Sequence, residues 1–293
     1  MGKRMIIALA IIAVAAGGSA GYFLLRVPLS GRRHPSWRVV EAPFEPYPFI
    51  RPSIWALAPD DVWIFGISLE SSGIWRFDGR EFSFVVGLPN LPYYLSSYVR
   101  SENEIWLGGC DNSGMYLYRW DGEKWTKYVP VGKEENHDVE LILGIDMLSH
   151  DEGWAVAYFQ DYQRPSYSAR FAGSCFLHWN GKEWRVVPSP PVPLLSIDML
   201  SPDEGWAVGD NILHWDGREW RVVPSPAGHL FDIDMLSPDE GWAVGDNVIL
   251  HWNGREWRVV PSPVPRYTLY RCIDMLSPNE GWIITDREIL KYG

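Results

Sequence analysis

Residues 196–263 contain one phrase written twice, and this duplication limits the possible folds more than any other feature. Ser196 to Pro226 reads SIDMLSPDEGWAVGDNILHWDGREWRVVPSP, and Asp232 to Pro263 reads DIDMLSPDEGWAVGDNVILHWNGREWRVVPSP. Trp206 of the first copy recurs as Trp242 of the second, 36 residues later. A repeat of this length is one supersecondary unit, whose faces are buried only when neighbouring copies stack on it.

Each copy divides into four short segments, lettered A to D, that are separated by turn residues. Segment A ends in Ser-Pro-Asp-Glu-Gly, B in Gly-Asp-Asn, C in Asp-Gly or Asn-Gly, and D in Pro-Ser-Pro. Proline, aspartate and glycine in these positions favour tight turns, and Asp-Gly between apolar runs indicates a hairpin. The segments are too short for helices and are rich in Trp, Val, Ile and Leu. Four antiparallel strands in about 40 residues predict one blade of a β-propeller.

The tryptophan that opens segment B can be followed through the chain and marks six repeats: Trp63, Trp106, Trp154, Trp206, Trp242 and Trp282. The sixth repeat begins near Ile273 and ends with the chain before any segment D. Trp37 to Val40 matches the segment D phrase and precedes the first segment A. We therefore predict an all-β, six-bladed propeller over residues 36–293, in which the N-terminal strand completes the last blade. The phrase tryptophans are expected to fill the core between blades.

The N-terminus predicts a membrane segment. Met5 to Leu25 carries no charged residue and follows Lys3 and Arg4, and its length is sufficient to span a bilayer. We expect residues 1–26 to form one uncleaved transmembrane signal anchor and residues 27–35 a linker. The ring is then expected on the extracytoplasmic side of the cell membrane, which it contacts through this helix only. Secretion after signal cleavage near Ala20 is the alternative.

Charge excludes one class of partner. The chain has 26 basic and 37 acidic residues and a net charge of −11. Nucleic acid is therefore not an expected ligand, because affinity for it comes largely from phosphate neutralisation. The three cysteines, Cys110, Cys175 and Cys272, lie in different repeats without a C-x-x-C spacing. We interpret them as small buried residues rather than as a disulfide framework.

One position of segment C is basic in every repeat, holding Arg76, Arg119, His178, His214, His251 or Lys291. The second residue of segment A is aspartate where segment C has His or Lys, and aromatic (Trp55 or Tyr98) where it has Arg. We predict a partnership between these two positions within each blade. A shared metal site for the histidines is not expected, because equivalent positions of separate blades lie too far apart. The four aspartates, Asp146, Asp198, Asp234 and Asp274, could instead line the central channel and hold Ca²⁺.

No catalytic residue, cofactor or resident metal is predicted. The chain contains no G-x-S-x-G, H-E-x-x-H, Walker loop or dinucleotide fingerprint. Carboxylate pairs such as Asp203 and Glu204 recur in the turns, without the differentiated environments that a general acid and base require.

Binding is expected on one face of the ring. In a propeller the A–B and C–D turns share one face, here called the turn face, and the B–C and D–A connections share the other, the variable face. The turn face repeats nearly the same residues in each blade, whereas the variable face carries most of the additional aromatics and an expanded B–C connection at 157–174. Loops on a rigid scaffold commonly carry function, and Tyr and Arg are common contact residues. The candidate binding residues are Tyr158, Phe159, Tyr162, Arg164, Tyr167, Arg170, Tyr93, Tyr94, Arg266, Tyr267 and Tyr270.

The phrase D-E-G-W-A-V-G-x-x-I-L-H-x-D-G-x-x-W, as in Asp203 to Trp220, resembles the repeat of bacterial BNR/Asp-box-like propellers. It is especially similar to that of the photosystem II stability and assembly factor family. This resemblance implies a propeller fold and a binding role outside the cytoplasm.

These observations predict a membrane-tethered extracytoplasmic propeller that acts as a non-catalytic binding or assembly scaffold for a protein or glycan. An extracellular hydrolase or lyase of sialidase or glycosidase type is the alternative.

Overall fold

The computed structural model describes residues 36–40, 53–67, 72–87, 93–111, 114–131, 138–160, 171–187, 190, 192–262, 264, 268–286 and 288–293. Within these residues the regular secondary structure is entirely β, and its strands form six antiparallel four-stranded sheets. The innermost strands of successive sheets pack beside one another in a ring, and that of the sixth packs beside that of the first. The prediction of a six-bladed propeller is therefore confirmed.

The first three blades are consecutive in the chain. Blade one holds β2 (Ser53–Ala58), β3 (Asp61–Ile67), β4 (Ser72–Phe77) and β5 (Phe82–Gly87). Blade two holds β6 (Tyr93–Ser101), β7 (Glu104–Asp111), β8 (Gly114–Trp120) and β9 (Trp125–Tyr128). Blade three holds β10 (Asp138–Met147), β11 (Gly153–Gln160), β12 (Phe171–Trp179) and β13 (Trp184–Val187).

The last three blades include both ends of the ring. Blade four holds β14 (Leu194–Ser201), β15 (Glu204–Gly209), β16 (Ile212–Trp215) and β17 (Trp220–Val223). Blade five holds β18 (Leu230–Ser237), β19 (Glu240–Gly245), β20 (Val248–Trp252) and β21 (Trp257–Val260). Blade six holds β22 (Tyr270–Ser277), β23 (Glu280–Thr285), β24 (Ile289–Tyr292) and, from the other end of the chain, β1 (Trp37–Val40).

The N-terminal strand closes the ring as predicted. β1 pairs antiparallel with β24, and Trp37 lies opposite Tyr292. Their rings are 4.9 Å apart, and Trp37 also meets Trp242 of blade five edge to face at 6.0 Å. Trp37 is only 6% exposed, so the closing strand contributes a core side chain as well as backbone hydrogen bonds.

The repeated tryptophans lie between blades. Trp206 of β15 is buried against Met235, Leu250 and Trp252 of blade five. The other five segment B tryptophans are also buried. A blade alone would leave these large rings in water, so their burial is the main driving force for stacking the blades.

Glycine at the C–D turn is required by backbone shape and by packing. Gly217 has a φ of 81°, a conformation that L-residues rarely adopt. A Cβ at this position would lie 3.0 Å from the Cβ of Asp203 in the A–B turn of the same blade. Asp216 accepts hydrogen bonds from the amides of Arg218 and Glu219, both at 3.0 Å. The two turns therefore interlock on the turn face.

The expected anchor (1–26) and linker (27–35) lie outside the described residues. Among the residues that the structure does describe, no helix has the length and apolar character needed to cross a membrane. Cys175 and Cys272 are buried free thiols, in line with their interpretation as core residues. The side chain of Cys110 lies outside the description.

Candidate functional site

The basic residue of segment C has a different partner from the one predicted. His214 Nε2 lies 2.7 Å from Glu204 Oε1, where Glu204 belongs to the A–B turn phrase and begins β15. The other five blades repeat this pairing of segment C base with turn acid: Arg76 with Asp61, Arg119 with Glu104, His178 with Glu152, His251 with Glu240, and Lys291 with Glu280. The predicted partnership with segment A is therefore wrong.

Strand order explains this correction. Asp198 lies on β14 and His214 on β16, and β15 separates them, so two strand spacings of about 4.8 Å lie between their backbones. His214 instead lies directly opposite Trp206 of the intervening strand and stacks on its ring at 4.5 Å. The predicted contact of aromatic residues with arginine fails for the same reason, and Arg76 lies over Trp63 of β3, not over Trp55.

The segment A residues tie each blade to the next. Asp146 Oδ2 accepts a hydrogen bond from the backbone N–H of Met199 at 2.7 Å. Asp198 and Asp234 accept from Met235 and Met275, and Asp274 accepts from the N–H of Ala56 at 3.1 Å. We call the set of six segment A residues, Trp55, Tyr98, Asp146, Asp198, Asp234 and Asp274, the belt.

The two aromatic members complete the belt. The indole N–H of Trp55 donates to Ser97 Oγ at 3.3 Å, and the hydroxyl of Tyr98 donates to the carbonyl of Met147 at 2.8 Å. Trp55 thus connects blade one to blade two, and Tyr98 connects blade two to blade three. Each of the six blades is bonded to its neighbour from the same structural position, although the chemistry changes from carboxylate acceptor to aromatic donor.

Burial alters the ionisation of the belt carboxyls. Desolvation raises the pKa of Asp146 to about 6, although the amides of Met199 and Met147 partly offset it. Desolvation, together with the neighbouring carboxyls, also raises the pKa values of Asp198 and Asp234 well above the ordinary value. The pKa of Asp274 is raised for the same two causes. Several belt carboxyls therefore hold protons at pH values where a surface aspartate has lost its own.

The belt surrounds a central cavity of about 70 Å³. The cavity lining comes from the first half of the inner strands, which is the half nearest the D–A connections. It includes five belt residues, and above them a tier of smaller side chains with Ser196 and Asp232. Phe231 and Arg271 also line it, and the guanidinium lies over the ring at 5.5 Å. The cavity therefore lies towards the variable face.

Calcium binding by the belt is not supported. In the described part of the chain, no three His, Cys, Asp or Glu side chains are arranged to hold a metal ion. Each belt aspartate already receives a backbone N–H. Trp55 and Tyr98 interrupt the sequence of carboxylates around the ring.

Asp232 is the functional candidate that sequence reasoning missed. Its Oδ1 accepts from Ser196 Oγ at 2.6 Å and its Oδ2 accepts from the N–H of Ile273 at 2.8 Å, so it joins blades four, five and six. A signal was present in the sequence. The duplicated phrase begins Ser-Ile-Asp in one copy and Asp-Ile-Asp in the other.

The predicted binding residues are only partly described. Tyr158 is half-buried in β11, and Tyr270 is 1% exposed, with its hydroxyl against Ser262 Oγ. The side chains of Phe159, Tyr93 and Tyr94 lie outside the description, although their backbones belong to β11 and β6. The whole of Tyr162, Arg164, Tyr167, Arg170, Arg266 and Tyr267 lies outside it. Joint binding by these residues stays a prediction, to which Tyr270 brings a core side chain rather than an exposed one.

The expanded B–C connection is shorter than predicted. β11 continues to Gln160 and β12 begins at Phe171. Most of residues 157–174 therefore belongs to strands or to residues 161–170.

No protein-family model and no curated protein sequence matches the chain. Solved propellers do match. YCF48 bound to a D1 peptide is 16% identical with a TM-score of 0.50, over 87% of this chain and 96% of that one. YCF48 from Cyanidioschyzon merolae is 17% identical with a TM-score of 0.53, over 82% and 78%. A streptogramin B lyase is 14% identical with a TM-score of 0.55, over 88% and 97%. At these identities the comparisons show a shared fold, and the resemblance to the photosystem II assembly factor family is confirmed at that level.

Proposed function

We propose that the chain is a non-catalytic scaffold that binds a segment of a protein on its variable face. The observation that carries this proposal is the use of the cavity carboxylates. Asp146, Asp198, Asp234, Asp274 and Asp232 all accept hydrogen bonds that join one blade to another. Their arrangement stabilises a rigid ring.

A protein ligand agrees with the kind of surface present. The cavity holds about 70 Å³, which suits one side chain of a bound segment rather than a whole sugar chain. Phe231 and Arg271 at its rim are residue types that recur in protein interfaces. A structural neighbour, YCF48, has been solved with a D1 peptide bound. Since that likeness is one of fold, it supports the proposal only as a precedent for peptide binding by such a ring.

The alternative of hydrolase or lyase chemistry is supported by one observation. The fold is shared with a streptogramin B lyase, and Asp146 has a raised pKa. A catalytic acid or base must, however, reach a substrate. Asp146 is 91% buried, given its 9% exposure, and one of its oxygens already accepts the N–H of Met199. We therefore favour binding over catalysis.

Location completes the proposal. We place the ring outside the cytoplasm, attached to the membrane by the apolar stretch from Met5 to Leu25. Protease added to right-side-out membrane vesicles should digest the ring without permeabilisation. Digestion that requires detergent would contradict this orientation.

Binding can be tested by exchanging one loop. In the full-length chain, residues 161–170 are replaced by a short Gly-Asn turn between β11 and β12, and proteins cross-linked to the ring in native membranes are identified. We expect one or more partners of the wild-type chain to be lost. The control variant is Arg255→Ala, an exposed residue of the turn face, which should keep the full set.

The two outcomes distinguish the readings. Loss of a partner from the loop variant but not from Arg255→Ala supports binding at the variable face. An unchanged set of partners in the loop variant would contradict it. Turnover of a glycoside or lactone by the wild-type chain, abolished by Asp146→Asn, would favour catalysis instead.

A further inference from the structure

The outermost strand of blade three has an additional partner. The N–H of Val131 donates to the carbonyl of Trp184 at 2.9 Å, and the carbonyl of Val131 accepts from the N–H of Val186 at 3.0 Å. The pairing is parallel. Residues 129–131, Val-Pro-Val, thus occupy the edge of β13 in the manner of a fifth strand. They belong to the connection that leads from blade two into blade three.

The edges of blades one and two are protected in other ways. The register of β5 against β4 is broken by a bulge between Phe84 and Val86. On β9, Lys127 occupies the position that Val186 has on β13, because it pairs with Tyr118 as Val186 pairs with Leu177. Bulges and edge lysines are devices that prevent another strand from pairing.

Blades four and five have the same edge sequence as blade three but no such protection. Val222 pairs with Leu213, and Val259 pairs with Leu250, in the register of Val186 with Leu177. The N–H groups of these valines therefore point outward, as does that of Val186. Among the described residues, which include all of the connection 224–229 that leads into blade five, no backbone group bonds to them.

The side chains at these edges are correspondingly exposed. Val222 is 58% and Val259 60% exposed, whereas Val186 beneath the added segment is half-buried and packs on the blade-three core. An exposed valine beside an outward N–H is the pair of features that the chain itself covers on blade three.

We propose that the outer edges of β17 and β21 are strand-addition sites for an extended segment of a partner protein. The segment resembles residues 129–131. It has a β-branched residue that supplies one N–H and one C=O, and a preceding residue whose N–H is not needed, as Pro130 shows on blade three. Strand addition takes affinity from the main chain and specificity from alternate side chains.

A second copy of this chain is a poorer occupant. Arg221 and Arg258 are exposed on the same two strands and are each paired with a glutamate two residues earlier. Pairing of the phrase Trp-Arg-Val-Val with itself would bring arginines of the two copies close together, and like charges in neighbouring strands destabilise a sheet. A Val-Pro-Val segment carries no charge and avoids this repulsion.

These sites are separate from the variable face. They lie on the circumference of the ring, at the strands farthest from the cavity, so their occupation does not depend on residues 161–170. The proposal therefore adds a second surface to the proposed function, and each can fail without the other.

The test uses the full-length chain in detergent and a labelled peptide, KYVPVGK, which is the sequence of residues 127–133. Fluorescence anisotropy should show saturable binding. The double variant Val222→Pro with Val259→Pro removes both outward N–H groups, and proline is tolerated at edge positions that face solvent. We expect its affinity to be lower by about tenfold, which is the effect of roughly 1.4 kcal/mol. Val222→Thr with Val259→Thr keeps the N–H groups and the branched shape, and should bind within about threefold of wild type.

A second peptide separates loss of the site from loss of the fold. The same peptide N-methylated at its second valine lacks the N–H that corresponds to Val131, while the protein is unchanged. We expect this peptide to bind about tenfold more weakly to the wild-type chain. The proposal is overturned if both peptides bind equally, if the proline variant binds as well as the threonine variant, or if no saturable binding occurs.

Discussion

Asp146 and Met199 belong to different blades, and the carboxylate of the first accepts the backbone N–H of the second at 2.7 Å. The same relation passes around the ring and returns to its start when Asp274 of blade six accepts from Ala56 of blade one. A propeller has no covalent bond between most neighbouring sheets at this depth. The belt supplies a directional contact at each joint, in addition to the non-directional burial of tryptophan.

Removing one belt carboxylate should destabilise the ring. Asp198→Ala leaves the amide of Met235 without its acceptor in the interior, which costs about 1–3 kcal/mol of unfolding free energy. Asp198→Asn keeps an acceptor oxygen and should cost less than the alanine variant. Urea denaturation of both variants measures the difference. Equal stability of Asp198→Ala and wild type would show that the belt contributes nothing.

The belt also predicts an unusual dependence of stability on pH. Burial raises the pKa of Asp146 to about 6 in the folded chain, above the ordinary value of about 3.9 that the unfolded chain retains. The folded state therefore binds more protons between these values, so this contribution to stability is complete below about pH 4 and is lost as the pH rises through 6.

The expected result is an increase in unfolding free energy when the pH is lowered from 7 to 5. Asp146 alone should contribute about 1 kcal/mol, and the other belt carboxyls act in the same direction. Turn carboxyls such as Asp216, whose pKa is lowered by backbone amides, titrate below this range. Urea midpoints of wild type and Asp146→Asn at both pH values test the assignment. A pH response of the same size in the variant would place its origin elsewhere.

The interlocked turns predict a penalty at Gly217. Alanine at this position must adopt a φ of 81° and bring its Cβ close to Asp203, so Gly217→Ala should lower the unfolding free energy by about 1–3 kcal/mol. Asparagine tolerates this backbone conformation better, and Gly217→Asn should therefore lie between alanine and wild type. Thermal unfolding followed by circular dichroism gives the ranking. An alanine variant as stable as wild type would mean that the turn relaxes at no cost.

The closing strand should contribute as a core element. Trp37→Ala removes a buried ring that contacts Trp242 and Tyr292, and truncation of buried aromatics costs about 3–5 kcal/mol. A double-mutant cycle with Tyr292→Ala should show a coupling energy of about 0.5–1.5 kcal/mol. Strict additivity of the two variants would mean that the rings do not stabilise each other.

The fold could be predicted because its determinants are local and repeated. Segment lengths, Asp-Gly turns and the recurring tryptophan specify strands and blade boundaries, and Trp37 to Val40 could be recognised as the missing outer strand from its phrase alone. The six-fold count followed from the positions of one residue type.

The contacts of the site were harder to predict because they depend on which elements are neighbours in space. Asp198 and His214 vary together in sequence position, which suggested contact, yet β15 lies between their strands. Pattern matching within one repeat cannot show that Asp198 faces Met235 of the next blade. Asp232 differs from its equivalent, Ser196, but only the structure shows that the two side chains bond to each other.

The central claim is a ring closed by pairing of its first described strand with its last. It is tested most directly by a disulfide between Val39→Cys and Leu290→Cys, which are cross-strand partners in β1 and β24, in a chain whose own three cysteines are replaced by alanine. The control pair, Val39→Cys with Ile289→Cys, places the second thiol on the opposite face of β24. We predict that oxidation cross-links the first pair in high yield and the control pair poorly, as read from mobility on a non-reducing gel. Equal yields, or no cross-link in the first pair, would contradict a ring closed in this register.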